Sequence, residues 1–247
     1  MIEDINNMQR ELKTTQEKLI RSSKLAIIGK LAGVVSHELR NPLSVIKNAI
    51  FFINMKLQDN MDEKVKMHLN IMEKEIDVTN KIISDILDFV RLKNPIVKEV
   101  KINELINECI KKVKLPKDIQ IQIDLDENLP QIQTDLFQIK LVFDNLILNA
   151  LQAMNDGGML KISSQVAGNY VEIHFKDTGC GIPKKNLEQI FEPLFSSKAK
   201  GIGLGLSLCQ TVLEGHKGNI ECESEEGKGT TMKVKLPIIK SVENNNG

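Results

Sequence analysis

The sequence predicts two architectures in one chain: an α helical hairpin that pairs with a second copy as a dimeric four-helix bundle, followed by an α/β two-layer sandwich. Three observations carry this. Before about residue 93, apolar and small residues recur in steps of four and three, with no strand-like run. At Asn94-Pro95 the helical pattern is cut, because proline removes a backbone donor and disfavours helix at the residue before it. Beyond that point short alternating runs interleave with helical stretches.

In chain order, residues 1–25 come first. Ile5, Leu12, Leu19 and Ala26 stand at heptad spacing, which fits either a parallel coiled coil that carries a signal or a frayed helix end. Residues 26–93 form the hairpin. Its first helix carries the seam Ile28, Ala32, Val35, Leu39, Pro42, Ile46, Ala49 and Ile53. The second carries Leu69, Met72, Ile76, Thr79, Ile83, Ile86 and Val90, and the polar stretch KLQDNMDEK supplies the turn. Two helices alone have too little core, so a homodimer is expected to bury both seams. A linker, 94–99, leads into a domain over 100–238. There VKEVKI, IQIQIDL, GMLKISSQV, YVEIHFKD, GNIECES and TTMKVKLP read as strands, with helices near 102–113, 135–154 and 203–215. Strict βα alternation is missing, which favours a two-layer sandwich over a doubly wound sheet. The tail, 239–247, reads as disordered.

Composition narrows the function. The chain has 33 basic and 33 acidic residues, so it lacks the basic excess of a nucleic-acid binder. With no Trp and one Tyr it offers no stacking platform for bases. Cys109, Cys180, Cys209 and Cys222 are scattered without a Cys-x-x-Cys pair, which reads as buried thiols in a reducing cytoplasm. No apolar run reaches the ~18–20 residues of a membrane span. The opening MIEDINNMQR lacks a signal-peptide pattern. A cytoplasmic chain, or the cytoplasmic portion of a larger or membrane-attached protein, is expected.

The stretch SHELRNPL, residues 36–43, raises the first chemical question. With Ala32 and Leu39 at heptad position a, His37 falls at f, facing solvent, whereas a packing histidine belongs at a or d. No other His or Cys lies at helical spacing to complete a metal site. Asn41 follows His37 by one turn, on the same face. An exposed imidazole with a reference pKa near ~6.5 is largely neutral at pH 7 and is a competent nucleophile. Glu38 beside it suits an acceptor for the ring proton, and equally a plain solvated glutamate.

Three stretches in the second half point to a nucleotide. In DNLILNALQAM, Asn145 and Asn149 share one helix face and can offer amide oxygens to Mg²⁺ or its waters, although such Asn pairs also occur without function. In DTGCGIP, Asp177 ends a strand where its carboxylate can accept from an adenine amino group, and Gly179 and Gly181 permit a tight turn. An ordinary glycine turn has the same look. In SSKAKGIGLGLSLC, Gly201, Gly203 and Gly205 lead into a helix whose free amides suit a polyphosphate, with Lys198 and Lys200 adding charge. The spacing is neither a Rossmann fingerprint nor a Walker A loop.

In this order, these motifs resemble those of the bacterial sensor histidine kinases of two-component systems. SHELRNPL resembles their H box; the later stretches, with FEPLFSSK and GKGTTMKVKLP, resemble the N, G1, F and G2 boxes and last strand of the GHKL (Bergerat) ATP-binding fold shared with gyrase, Hsp90 and MutL. The likeness covers about residues 20–238, and NALQAM resembles the nitrogen-regulatory and sporulation-kinase branch. It implies that His37 is the phosphoacceptor, Glu38 its acid-base neighbour, and Asn41 a residue that positions water for dephosphorylating a partner. It implies Asn149 as the Mg²⁺ ligand with Asn145 beside it, Asp177 as the adenine reader, and Thr230 as support for the adenine pocket. Lys198 would reach the terminal phosphate from a lid near 192–202, with Gly201, Gly203, Gly205 and Leu206 at the phosphates. ATP and Mg²⁺ are the implied cofactors, and a response-regulator receiver domain is the implied partner. Ile202 stands where the family often has Thr. His216, in EGHKGN, matches a common family turn and reads as structural; His68 and His174 have no motif around them. A gyrase-type ATP-gated clamp would leave the H box unexplained, and a non-catalytic binding dimer would not need the intact nucleotide motifs.

Overall fold

The structure, a computed structural model, describes residues 39–57, 62–90, 94–113, 115–196 and 203–238. The coiled coil expected over 1–25, the tail 239–247, and His37 and Glu38 lie outside the described residues. The described residues fall into two compact units, one containing the first two helices and the other all the strands and the remaining helices.

In the first unit, helix α1 covers residues 39–57 and helix α2 covers Glu63–Val90. Asp62 starts α2: its carboxylate accepts the N–H of Lys64 at 2.6 Å, satisfying one of the donors that a helix start leaves unpaired. Within one chain the two helices meet along Leu43 and Ile50 of α1 and Leu69, Ile76, Ile83 and Leu87 of α2. This differs from the predicted seam. Leu69, Ile76 and Ile83 at a positions of α2 are buried, but they meet the e positions of α1, while Leu39, Ile46 and Ile53 at the a positions of α1 and Met72 of α2 stay exposed. A pair of antiparallel helices needs only one stripe from each, so half of the heptad seam is left unused. Polar contacts cross the same hairpin. Arg40 donates to the Ser84 hydroxyl at 3.0 Å, Lys47 pairs with Asp77 at 2.7 Å, and Asn54 donates to Glu73 at 3.3 Å.

The second unit contains strands β1 (Lys98–Val100), β2 (Ile119–Leu125), β3 (Ile132–Thr134), β4 (Gly158–Ala167), β5 (Tyr170–Asp177), β6 (Asn219–Glu225) and β7 (Gly229–Pro237). Its helices are α3 (Ile102–Lys112), α4 (Leu136–Ala153) and α5 (Gly205–Gly215). The main sheet has the order β2-β4-β5-β7-β6, with β2 and β4 parallel and the other pairs antiparallel; β1 and β3 form a separate antiparallel ribbon. Strand β1 begins inside the stretch read as linker.

Alternation explains the sheet. In β5, Val171, Ile173, Phe175 and Asp177 are buried, while Glu172, His174 and Lys176 point to the other face. Helix α4 supplies the opposing layer. Ile139, Val142, Phe143, Leu146, Ile147, Ala150 and Leu151 recur at helical spacing and are all buried. Phe143 and Phe175 join the layers, with ring centroids 5.5 Å apart and planes tilted by 49°. Each such fully buried large side chain contributes about 1.5–3 kcal/mol relative to exposure. Because Asp177 continues the buried phase of β5, this packing delivers its carboxylate to the end of the core.

Candidate functional site

At the end of β5, Asp177 is paired across the sheet with Leu160 of β4 and Thr230 of β7. Its Oδ1 accepts the N–H of Gly179 at 2.8 Å and the N–H of Thr230 at 3.2 Å, so the carboxylate is held in one orientation. The Ser224 hydroxyl donates to the Gly229 carbonyl at 2.8 Å and accepts the N–H of Ile182 at 2.8 Å. With that one proton committed, the Thr230 hydroxyl is the donor in its 2.9 Å contact with Ser224. Thr230 thus belongs to a hydrogen-bonded frame around Asp177.

The loop after Asp177 is clamped on two sides. Cys180 donates its N–H to the carbonyl of Ala153, the last residue of α4, at 3.0 Å, and its carbonyl accepts from Gly227 at 2.8 Å. A Cβ on Gly179 would lie 2.6 Å from the Ala153 carbonyl oxygen. Gly181 has φ of 67°, and a Cβ there would run into the Glu225 carbonyl oxygen. Both positions require glycine.

Helix α4 carries the asparagine pair toward α5. The Asn145 amide nitrogen donates to the Leu141 carbonyl at 2.9 Å, which fixes the amide with its oxygen on the side of Gly205. Gly205 opens α5 against that pair: a Cβ there would lie 2.9 Å from Asn145 Oδ1 and 4.0 Å from Asn149 Nδ2. The first turn of α5, the positive end of that helix, therefore stands beside Asn145 and Asn149. Gly203, with φ of 72°, and half-buried Leu206 flank Gly205 in sequence.

Helix α4 thus connects two groups of sequence-predicted residues, with Asn145, Asn149 and Gly205 along it and Asp177, Gly179, Gly181 and Thr230 at its end. Lys198 and Gly201 lie outside the described residues. Asn41 is exposed on α1. Among the described residues no cluster of His, Cys, Asp and Glu suits a metal ion. An amide pair with no carboxylate fits a Mg²⁺ that keeps most of its ligands as phosphate oxygens and water.

The cysteines divide. Cys109 and Cys209 are buried and Cys222 is half-buried, and burial pushes each thiol up to about 12, with Asp177 adding to the effect at Cys222. Cys180 is exposed, against the expectation of buried thiols, because the loop that carries it is fixed by backbone bonds and leaves its side chain outside. Sequence reasoning missed Asp135, which caps α4, and gave His216 no specific partner. A Thr-Asp pair directly before a long apolar helix was the available signal for the cap. No helix among the described residues is long and apolar enough to cross a membrane.

Comparison with known proteins agrees with this geometry. Residues 134–240 match the family of histidine kinase-, DNA gyrase B- and HSP90-like ATPases, and residues 28–95 match the His Kinase A (phospho-acceptor) domain. The sensor histidine kinase ZraS of Escherichia coli (strain K12) is 35% identical over 232 residues, covering 93% of this chain and 50% of ZraS. The chain thus spans about half the length of that curated relative. The catalytic domain of histidine kinase ThkA is 31% identical with a TM-score of 0.51, over 57% of this chain and 95% of that one. ThkA in complex with response regulator protein TrrA is 28% identical with a TM-score of 0.63, over 93% of this chain and 67% of that one. A phosphoacceptor family match on the helical half and an ATPase match on the half that holds Asp177 and the asparagine pair meet in a single class of proteins: the chain belongs to the sensor histidine kinases of two-component systems.

Proposed function

We propose that this chain autophosphorylates on His37 with ATP and passes the phosphoryl group to an aspartate of a response-regulator receiver domain. The observation that carries the reading is the junction made by α4, which has the oriented carboxylate of Asp177 at its end and the Asn145–Gly205 contact along its length. ATP supplies the γ-phosphoryl group, and Mg²⁺ neutralises charge on the phosphates. Asp177 accepts from the adenine amino group while Thr230 and Ser224 hold its frame. Asn149, with Asn145, contributes an amide oxygen to Mg²⁺ or its water. The first turn of α5 and Lys198 meet phosphate charge. His37 attacks phosphorus as the bond to the ADP oxygen breaks, and Glu38 accepts the ring proton.

In this reading residues 26–93 are the dimerisation and phosphotransfer hairpin, 94–99 the linker and 100–238 the catalytic domain. The exposed a positions of α1 support a homodimer, since a second hairpin would cover Leu39, Ile46 and Ile53. The complex of ThkA with TrrA supports a regulator as the acceptor. Exposed Asn41 is assigned to holding the water that dephosphorylates the regulator. The test is incubation with γ-labelled ATP and Mg²⁺ beside His37→Gln. Acid-labile, alkali-stable label that the variant lacks is expected. Nucleotide binding without label would overturn the kinase reading, and hydrolysis that survives in His37→Gln would favour a clamp.

A further inference from the structure

One carboxylate joins three parts of the second unit. Asp135 is only 5% exposed. Its Oδ2 accepts the N–H of Ile96 at 2.7 Å, in the segment that leads into β1. Its Oδ1 accepts the N–H groups of Phe137 at 2.9 Å and Gln138 at 3.1 Å, capping α4. The N–H of Asp135 donates to Nε2 of His216 at 3.1 Å, and that ring is 7% exposed. A ring nitrogen that accepts carries no proton, so Nδ1 holds it and donates to the Val212 carbonyl, 2.8 Å away in the last turn of α5. Burial opposes charge on Asp135, but the N–H groups of Ile96, Gln138 and Phe137 hold its carboxyl below the usual range.

A helix cap needs one oxygen. Here the second oxygen ties down the entering chain, and the backbone N–H reaches the other helix of the candidate site. Helix α4 carries Asn145 and Asn149, and α5 opens against them at Gly205. The three elements tied at Asp135 are therefore the way into the unit and the two helices that form the asparagine and phosphate side of the site.

We propose that Asp135 and His216 are positioning residues for phosphoryl transfer, fixing the linker at Ile96 to α4 and α5 so that the nucleotide site is presented in a set orientation on its linker. The inference rests on the kinase reading above. It separates transfer from nucleotide binding, because the bonds concerned lie at the ends of α4 and α5 remote from Asn145 and Gly205.

Asparagine is as good a cap as aspartate, so Asp135→Asn keeps an oxygen for α4 but turns an N–H₂ donor toward the N–H of Ile96. Ile96→Pro removes that N–H, and His216→Phe removes the acceptor for Asp135 N–H. In the full chain, three quantities would be measured: ADP affinity, hydrogen exchange at the Ile96 amide, and the rate of His37 labelling. We expect all three variants to bind ADP like wild type, which also shows that they fold, and to label at a rate lower by about tenfold or more. Ile96 exchange should be slow in wild type and fast in Asp135→Asn. Wild-type labelling in Asp135→Asn and Ile96→Pro would overturn the proposal, and so would affinity falling in step with rate. Should wild type itself not label, the kinase reading fails, and the coupling is decided by exchange alone. Ile96 exchange as fast in wild type as in Asp135→Asn would then overturn it.

Discussion

A methyl group at position 179 would begin 2.6 Å from the Ala153 carbonyl oxygen, a backbone atom that cannot swing aside. Gly179→Ala should therefore displace the loop that orients Asp177, at a cost of about 1–3 kcal/mol typical of overpacking. Isothermal titration with ADP should show lost or severely weakened binding, and wild-type affinity would refute the assigned role of the loop. Lys217 presents the opposite case. It adopts φ of 56° in the turn after α5, a conformation that disfavours a side chain. Lys217→Gly should stabilise the unit by about 0.5–1 kcal/mol, the relief of strain less the entropy of glycine. A lowered urea midpoint would contradict that. Residues with a local signature, such as Asp177 between a strand and two glycines, were legible in sequence. The Asp135–His216 bond was not, because it joins residues 81 apart and each looks ordinary in its own segment.

Elements were legible wherever burial repeats. Strands β2, β4, β5, β6 and β7 and helices α3, α4 and α5 fall on the stretches whose periodicity announced them. Strand β3 did not announce itself, because three residues are too few to show a period in sequence, and its pairing with β1 is set by residues more than thirty positions away. Inside the chain the predicted stripe of α2 meets Leu43 and Ile50 of α1, and the predicted a positions Leu39, Ile46 and Ile53 are left over, since a heptad pattern does not say which contact is made inside the chain. Helix α4 yields a prediction with a pH signature. Asp135→Ala should cost about 1–2 kcal/mol at neutral pH through its lost cap. The folded carboxyl titrates below the ~3.9 of the unfolded chain, so the native state binds fewer protons. That stability is fully present above the unfolded value and is lost as pH falls through the folded one. The gap in urea midpoint between wild type and Asp135→Ala should close at the acid end, whereas a constant gap down to about pH 3 would show that charge plays no part.

At the scale of the molecule, the two units have unlike requirements. The sandwich closes its own core, with Phe143, Phe175, Ile139 and Ile147 all shut from solvent in one chain. The hairpin leaves Leu39, Ile46 and Ile53 in water. Ile46→Asp places a charge at the centre of that uncovered stripe and should turn a dimer into a monomer by sedimentation equilibrium, with ADP binding to the sandwich intact. A dimer that persists would locate the interface elsewhere. The unused half of the heptad seam also has a consequence in mass action. A helical unit completed only by a second copy has no fixed melting temperature of its own, because dilution favours the open chains. Calorimetry across a hundredfold dilution should separate two transitions: one that moves with concentration and belongs to the hairpin, and one that stays in place and belongs to the sandwich.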